Sequence, residues 1–383
     1  MKVLICVRRL DKGGAEMLEC RLACTLNKQG VEAHVLAQYG KDKFEGEYFS
    51  EKWKQQGIPS IYFFNSKNNI GLIKSLWTLF NVLKREKYNV IISTNSGLDT
   101  IIGIIRFFLN YKQIIAFHTY INTSILKHYR IKAWSFFVKK ADAYYSITDY
   151  VKKNVDDVLQ LNPAKNKTIY NSIEKVNLAD MKNKWTLRKE LGLADQAKII
   201  LIAGRIESRK GFDLVVEYLS SILLQNDAYL LVAGEGYEGN ALEKGLNDFV
   251  NTFTNKIKDL GLSEKVLLLG YRDDLDAIMK ESTLYVHLAR HEGFGLVLLE
   301  AIAAKLPIVA SNVGGIPEVL KNTPYKTFDL NDEQGICIEA SRLLTMNKEE
   351  KNVIVNEAYK ILPYYTDERR GTEIKQLLNN LMQ

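Results

Sequence analysis

The 383 residues are 46% hydrophobic and 25% charged, with a net charge of +7. This is the balance of a globular chain with apolar material for two cores, not of a disordered or collagen-like one. No run approaches the ~18 uninterrupted apolar residues that read as a membrane span.

After Met1-Lys2 the chain runs apolar from Val3 to Val7 and is broken by Arg8 and Arg9. This run reads as a strand, too short for a secretory leader. Val3–Val7, Ala33–Leu36, Ile58–Phe63, Val90–Ser93, Gln113–Phe117, Ala143–Ile147 and Thr168–Ser172 form one series of buried parallel strands. Helix-period stretches lie between them, including Glu16–Gln29, with Gly30 as its C-terminal stop, and Leu72–Lys87. Glu174–Thr186 lacks periodicity and reads as a crossover. A second series follows at Ile199–Ala203, Tyr229–Ala233, Val266–Leu269, Leu284–His287, Ile308–Ser311 and Gln334–Ile338, with helices starting near Asp213, Asp273, Gly295 and Ile316. Two such alternations predict two doubly wound α/β domains facing across a cleft.

Charge divides the same way. Residues 1–175 carry 27 Lys/Arg against 15 Asp/Glu, and the remainder 25 against 30, which argues for different partners. Cys6, Cys20, Cys24 and Cys337 form no Cys-x-x-Cys pair and read as thiols of a reducing, cytoplasmic setting.

Ligands of doubly wound sheets bind beyond the carboxyl ends of the strands, and the informative residues fall there. Glu292-Gly-Phe-Gly-Leu-Val-Leu-Leu-Glu300 follows the strand 284–287. Its glycines let backbone N–H groups approach a ligand, and the helix from Gly295 points its positive end at the same place, which suits phosphate. Glu292 and Glu300 bracket that helix tip. The plainer alternative makes Glu300 a solvated helix residue and Glu292 an N-terminal charge complement. Gly204-Arg-Ile-Glu-Ser-Arg-Lys-Gly211 follows strand 199–203 and offers Arg205 and Lys210 to a departing diphosphate; otherwise it is a basic turn. Asp11-Lys-Gly13-Gly14-Ala-Glu16 is a close-approach loop or a tight turn after the first strand. His118 follows strand 113–117, functional or simply structural.

In combination these residues resemble the GT4-type glycosyltransferases. The signatures are Glu292-x7-Glu300, the Gly204-Arg…Lys-Gly211 loop, Gly13-Gly14-Ala-Glu16 and Gly314-Gly-Ile-Pro-Glu318. The resemblance implies a GT-B fold: an acceptor-binding domain at 1–172, a nucleotide-sugar domain at 173–365, and a helix at 366–383 returning to the first domain. It also implies retention of anomeric configuration without a metal. Arg205 and Lys210 would contact the donor diphosphate. Glu292 and the backbone of Phe294 and Gly295 would hold sugar and phosphate, and Glu300 the ribose hydroxyls. Gly204, Gly234 and Leu296 join the donor site. Gly13 and Gly14 line the loop nearest phosphates and acceptor, and His118 sits beside the transferred sugar. No cofactor is implied beyond a UDP- or GDP-linked sugar; the acceptor would be a saccharide or lipid-linked saccharide of polysaccharide or lipopolysaccharide synthesis. Leu288-Ala289, Lys305 and Ser172 depart from the usual Pro-Ser, Gly and Gly, which bears on the donor sugar.

Rival readings are few. Gly234-Glu-Gly-Tyr-Glu-Gly239 is a literal dinucleotide fingerprint, yet the next strand, Val266–Tyr271, ends without the required acid. Asp274-Leu-Asp276 mimics a metal-binding Asp-x-Asp, but Asp273 and Asp274 suit a helix start. A nucleotide-sugar epimerase shares the architecture without this glutamate spacing. A non-catalytic basic protein is the remaining alternative. Its nucleic-acid form lacks any motif. Its membrane form draws on 71–85, 101–111 and 124–140, which mix cations with large apolar residues and would suit peripheral attachment to the inner face of a membrane.

Overall fold

Val3, Leu4, Ile5, Cys6 and Val7 are all 0% exposed. A strand apolar on both faces belongs inside a parallel sheet covered on both sides. Residues 3, 5 and 7 enter one core with the helix Gly14–Lys28, and residues 4 and 6 enter another with residues 79–105. This alternation is the two-residue period of a strand.

The computed structural model describes residues 1–10, 14–39, 46–63, 69–94, 96–123, 128–174, 187–225, 227–236 and 241–383. They divide into two units, Met1–Glu174 with Tyr365–Gln383, and Lys175–Tyr364.

Unit 1 runs β1 (Lys2–Arg9), α1 (Gly14–Lys28), β2 (Glu32–Tyr39), α2 (Gly46–Gln55), β3 (Ile61–Phe63), α3 (Asn69–Glu86), β4 (Val90–Ser93), α4 (Ser96–Ile105), β5 (Lys112–Phe117), α5 (His128–Val138), β6 (Ala143–Ser146), α6 (Asp149–Leu159) and β7 (Asn166–Thr168). Its seven strands are parallel in the order β3-β2-β1-β4-β5-β6-β7. Gly30, at φ +82°, follows the end of α1, where a left-handed residue closes the helix.

Unit 2 runs α7 (Leu187–Glu190), β8 (Lys198–Ala203), α8 (Phe212–Tyr218), α9 (Ser220–Gln225), β9 (Ala228–Ala233), α10 (Ala241–Asp259), β10 (Val266–Gly270), α11 (Leu275–Glu281), β11 (Leu284–His287), α12 (Leu296–Ala303), β12 (Ile308–Ser311), α13 (Ile316–Leu320), β13 (Thr327–Phe328), α14 (Glu333–Thr345) and α15 (Lys348–Tyr359). Its six strands are parallel in the order β10-β9-β8-β11-β12-β13. The last helix, α16 (Asp367–Met382), belongs to unit 1. There Ile374, Leu377 and Leu378 join the core of β1 and α1.

Three expectations need correction. Gln334–Ile338 is not a strand; it lies within α14. Asp332 caps that helix by accepting from the Gly335 amide at 2.9 Å. Ile336, Ala340, Leu343 and Leu344 are buried at helical spacing, which short apolar runs do not reveal. The strand at that sheet edge is β13. The strand expected at Thr168–Ser172 is Asn166–Thr168, and that expected at Ile58–Phe63 is only Ile61–Phe63. Asp274 does stand at the start of α11, but its side chain makes no cap bond and is gripped by Arg272 at 2.8 and 2.7 Å. Residues 175–186 of the crossover lie outside the described residues. Among the described residues no helix is long and apolar enough to cross a membrane.

Candidate functional site

Each sheet has one place where strand order reverses. In unit 2 the chain leaves β8 toward β9 and β10, then returns to the other side of β8 with β11. A crevice outside the carboxyl ends of strands opens at such a point. Gly204 and Arg205 follow β8 there, and Leu288–Glu292 follow β11.

The two loops are tied together. The amides of Arg290 and His291 donate to the Arg209 carbonyl at 2.9 and 3.3 Å. The Arg290 guanidinium binds Asp213 of α8 through two nitrogens, both at 2.7 Å, and donates to the Ser208 carbonyl at 2.7 Å. Two parallel N–H···O bonds fix orientation as well as distance. This positions Lys210 against Glu292: Lys210 Nζ donates to Glu292 Oε2 at 2.6 Å. His287 Nε2 lies 3.3 Å from the same oxygen, and the Gly293 amide donates to Oε1 at 3.2 Å.

The Glu292 carboxyl is buried, which alone would push its pKa up. His287 and Lys210 outweigh that and hold it well below the usual carboxylate range. Burial pushes His287 below its ordinary value despite Glu292, so the ring is neutral near pH 7. The buried Tyr285 hydroxyl stands 3.4 Å from His287 Nδ1. It is pushed well above its usual range, first by burial and then by the charges of Glu300 and Glu292.

Beside this pair α12 begins. Gly295, at φ +88°, is its N-cap, and no side chain caps the helix. Its first amides therefore face outward from the helix with the positive end of the dipole behind them. Phe294 is buried and Leu296 half-buried at the same turn; Glu300 is half-buried further along α12. The chain crowds this turn from behind. A Cβ on Gly314 would lie 1.9 Å from the Glu292 carbonyl oxygen, to which the Gly315 amide donates at 3.0 Å. The Gly314-Gly-Ile-Pro-Glu318 run thus supports the backbone of Glu292. Gly234 has a packing reason too: its Cβ would lie 1.9 Å from the Gly204 carbonyl oxygen, which accounts for one glycine of the apparent dinucleotide fingerprint.

Of the residues expected from sequence, Gly204, Lys210, Glu292, Phe294, Gly295, Leu296 and Glu300 converge within unit 2, with Gly234 packed behind Gly204. Arg205 stands beside Gly204 with an exposed side chain. Gly14 and His118 belong to unit 1. Gly14 opens α1, and His118 follows β5, its Nε2 2.9 Å from Glu19 Oε1. Gly13 lies outside the described residues. Sequence reasoning missed His287, hidden as the last residue of an apolar strand. It also missed Glu19, although Glu19 lies on the apolar stripe of α1 with Leu22, Ala23 and Leu26. A charge on a buried stripe demands a buried partner. Among the described residues no group of three His, Cys, Asp or Glu side chains forms a metal-binding cluster.

Residues 183–360 match the family described as Glycosyl transferases group 1, and residues 12–175 match Glycosyltransferase Family 4. The chain is 31% identical over 188 residues to N-acetyl-alpha-D-glucosaminyl L-malate synthase of Bacillus anthracis, taking in 49% of this chain and 46% of that protein. It thus spans about half the length of that relative. It is 28% identical over 334 residues to UDP-Gal:alpha-D-GlcNAc-diphosphoundecaprenol alpha-1,3-galactosyltransferase of Escherichia coli, 81% of each chain. The solved structure of Anabaena HepE with UDP-glucose has a TM-score of 0.79 at 19% identity, over 99% of this chain and 100% of that one. That likeness shows the fold, two Rossmann-like domains of the GT-B class. The two family matches take in most of the chain, which belongs to the GT4-type glycosyltransferases, the glycosyl transferases group 1.

Proposed function

We propose that this chain is a retaining, metal-independent hexosyltransferase. It moves a sugar from a UDP- or GDP-linked donor to a hydroxyl of a saccharide or lipid-linked saccharide, in cell-surface polysaccharide or glycolipid synthesis. The observation that carries this reading is the Lys210–Glu292 pair at the uncapped N-terminus of α12. A buried carboxylate, a cation and a helix tip within one turn suit a ligand that offers hydroxyls and a diphosphate together. A UDP-linked donor is favoured by the UDP-glucose held by HepE and the UDP-Gal in the name of the E. coli relative.

In this reading Lys210, Arg205 and the first amides of α12 hold the diphosphate, with Gly204 and Leu296 lining it. Glu292 accepts hydrogen bonds from sugar hydroxyls, and Glu300 from the ribose. Gly14 and His118 serve the phosphates, acceptor and transferred sugar. The C1–O bond to phosphate breaks while the bond from the acceptor oxygen forms on the same face. The acceptor's proton passes to the departing phosphate oxygen. Negative charge grows on that phosphate, where Lys210 and the helix tip stabilise it. No metal or further cofactor takes part, so turnover survives EDTA.

A membrane-facing acceptor is supported by a patch on unit 1. Phe107, Phe108 and Phe136 are 63%, 72% and 56% exposed. Lys140 Nζ lies 4.6 and 4.3 Å from the ring centres of Phe107 and Phe136. Cations beside exposed aromatics suit an anionic lipid surface.

A thermal-shift screen of UDP-, GDP- and ADP-sugars tests the donor, since ligands that bind only the folded state raise its melting temperature. One class should stabilise the chain; no shift with any of them would defeat the reading. Flotation with anionic liposomes at low salt tests the patch, and a chain that stays at the bottom of the gradient removes it.

A further inference from the structure

A second ionisable cluster is buried in unit 1. Glu19 of α1 and Arg370 of α16 form an ion pair, and each side chain is 1% exposed. Tyr145 of β6 donates to the two Glu19 oxygens at 3.1 and 3.3 Å. Arg370 Nη1 also donates to the Leu18 carbonyl at 3.0 Å. The third partner is His118. Its side chain is 8% exposed, and its Nε2 stands 2.9 Å from Glu19 Oε1, at ion-pair distance rather than in a linear hydrogen bond.

Packing alone does not ask for this arrangement. Apolar side chains of similar volume would join α1 to α16 at least as well as a buried charge pair. The arrangement does determine a proton. Burial pushes the Glu19 carboxyl up, Arg370 and then His118 pull it down, and it rests at about 2. Glu19 is therefore a carboxylate near neutral pH, and a carboxylate only accepts. The ring nitrogen facing it must carry the hydrogen. In a neutral ring the other nitrogen is then an acceptor. Both ring nitrogens are buried and neither makes a well-aligned hydrogen bond among the described residues; what separates them is the Glu19 carboxylate, 2.9 Å from Nε2. His118 also stands one residue past the carboxyl end of β5, the edge at which doubly wound sheets bind ligands.

We propose that Glu19 and Arg370 are positioning residues: α16 supplies the cation that keeps Glu19 ionised, and Glu19 fixes His118 as the Nε2–H tautomer with Nδ1 presented to a hydroxyl of the sugar or acceptor. The tautomer follows from the cluster itself. Its service to catalysis rests on the reading of His118 given under Proposed function.

The test uses the whole chain with 15N-labelled histidine and hydrolysis of a sugar nucleotide, with water as acceptor. The substrate is whichever of UDP-glucose, UDP-galactose, UDP-N-acetylglucosamine and GDP-mannose is hydrolysed fastest. Long-range 1H–15N spectra, with His118→Asn to assign the ring, should show a protonated Nε2 and a bare Nδ1. The double variant Glu19→Met/Arg370→Met removes both charges and leaves neither unpaired. It should release the tautomer and lower kcat about tenfold or more, the loss seen when the partner of a metal-bound histidine is removed, with KM for the donor little changed. Glu19→Gln/Arg370→Met keeps an acceptor oxygen and should recover most of both. An Nδ1–H ring in the unaltered chain overturns the proposal even if no variant folds. Unchanged kcat in the double-methionine variant overturns its catalytic half. An Nε2–H ring together with full turnover by His118→Asn would instead remove the reading of His118 while leaving the tautomer argument standing.

Discussion

At the scale of single residues, Lys210 and Asp99 show how burial decides what a charge does. Lys210 and Glu292 satisfy each other at 2.6 Å with side chains 16% and 11% exposed, so both keep some surface open to a ligand. Lys210→Ala should lower turnover about 100-fold or more, the usual loss when one donor to a developing charge is removed, with the circular-dichroism spectrum unchanged. Near-normal transfer would count against its role. Asp99 is the opposite case. Ser93 donates to it at 2.6 Å and Trp134 at 3.1 Å, but burial dominates and raises its pKa to about 7. A carboxyl raised on folding favours the folded state while protonated. That stability is complete below the unfolded value of about 4 and is lost as pH rises through about 7. Asp99→Asn should flatten the stability profile across that window; an unchanged slope in urea titrations between pH 4 and 8 would contradict it. The Glu292-x7-Glu300 spacing was legible because it sits on one helix tip. Glu19 and Arg370 were not, because they pair across 351 residues, and His287 was hidden at the end of an apolar strand.

Among elements, the strands buried on both faces were legible from unbroken apolar runs, and α1 and α3 from their period. The short elements were not. Five residues such as Gln334–Ile338 fit either period, and only the Asp332 cap and the core contacts of Ile336 and Leu343 decide for a helix. The position of α16 was equally hidden in its spacing. It is set by contacts with α1: Arg21 to Asp367 at 3.2 Å, Lys375 to the Gln29 carbonyl at 2.6 Å, and Gly371 against Thr25. A Cβ on Gly371 would lie 2.5 Å from Thr25 Cγ2. Gly371→Leu should therefore destabilise unit 1 by about 1–3 kcal/mol through overpacking, read as a lower urea midpoint; an unchanged midpoint would show that α16 does not pack so closely.

For the whole molecule, both sheets place their informative residues at carboxyl edges, and the switch point between β8 and β11 carries the densest set. The uneven charge of the two halves was legible by counting, whereas the sugar and the acceptor depend on side-chain shape that no spacing encodes. Donor binding should slow amide exchange chiefly at residues 204–211 and 288–304. Protection confined to unit 1 would move the donor site elsewhere.

Affinity for a nucleoside diphosphate against its monophosphate reads the second phosphate alone. By calorimetry UDP should bind at least about tenfold more tightly than UMP, or GDP than GMP, a gap of about 1.4 kcal/mol, and Lys210→Ala should erase it. Equal binding of di- and monophosphates, or a gap untouched by that substitution, would contradict a diphosphate site built from Lys210, Glu292 and the tip of α12.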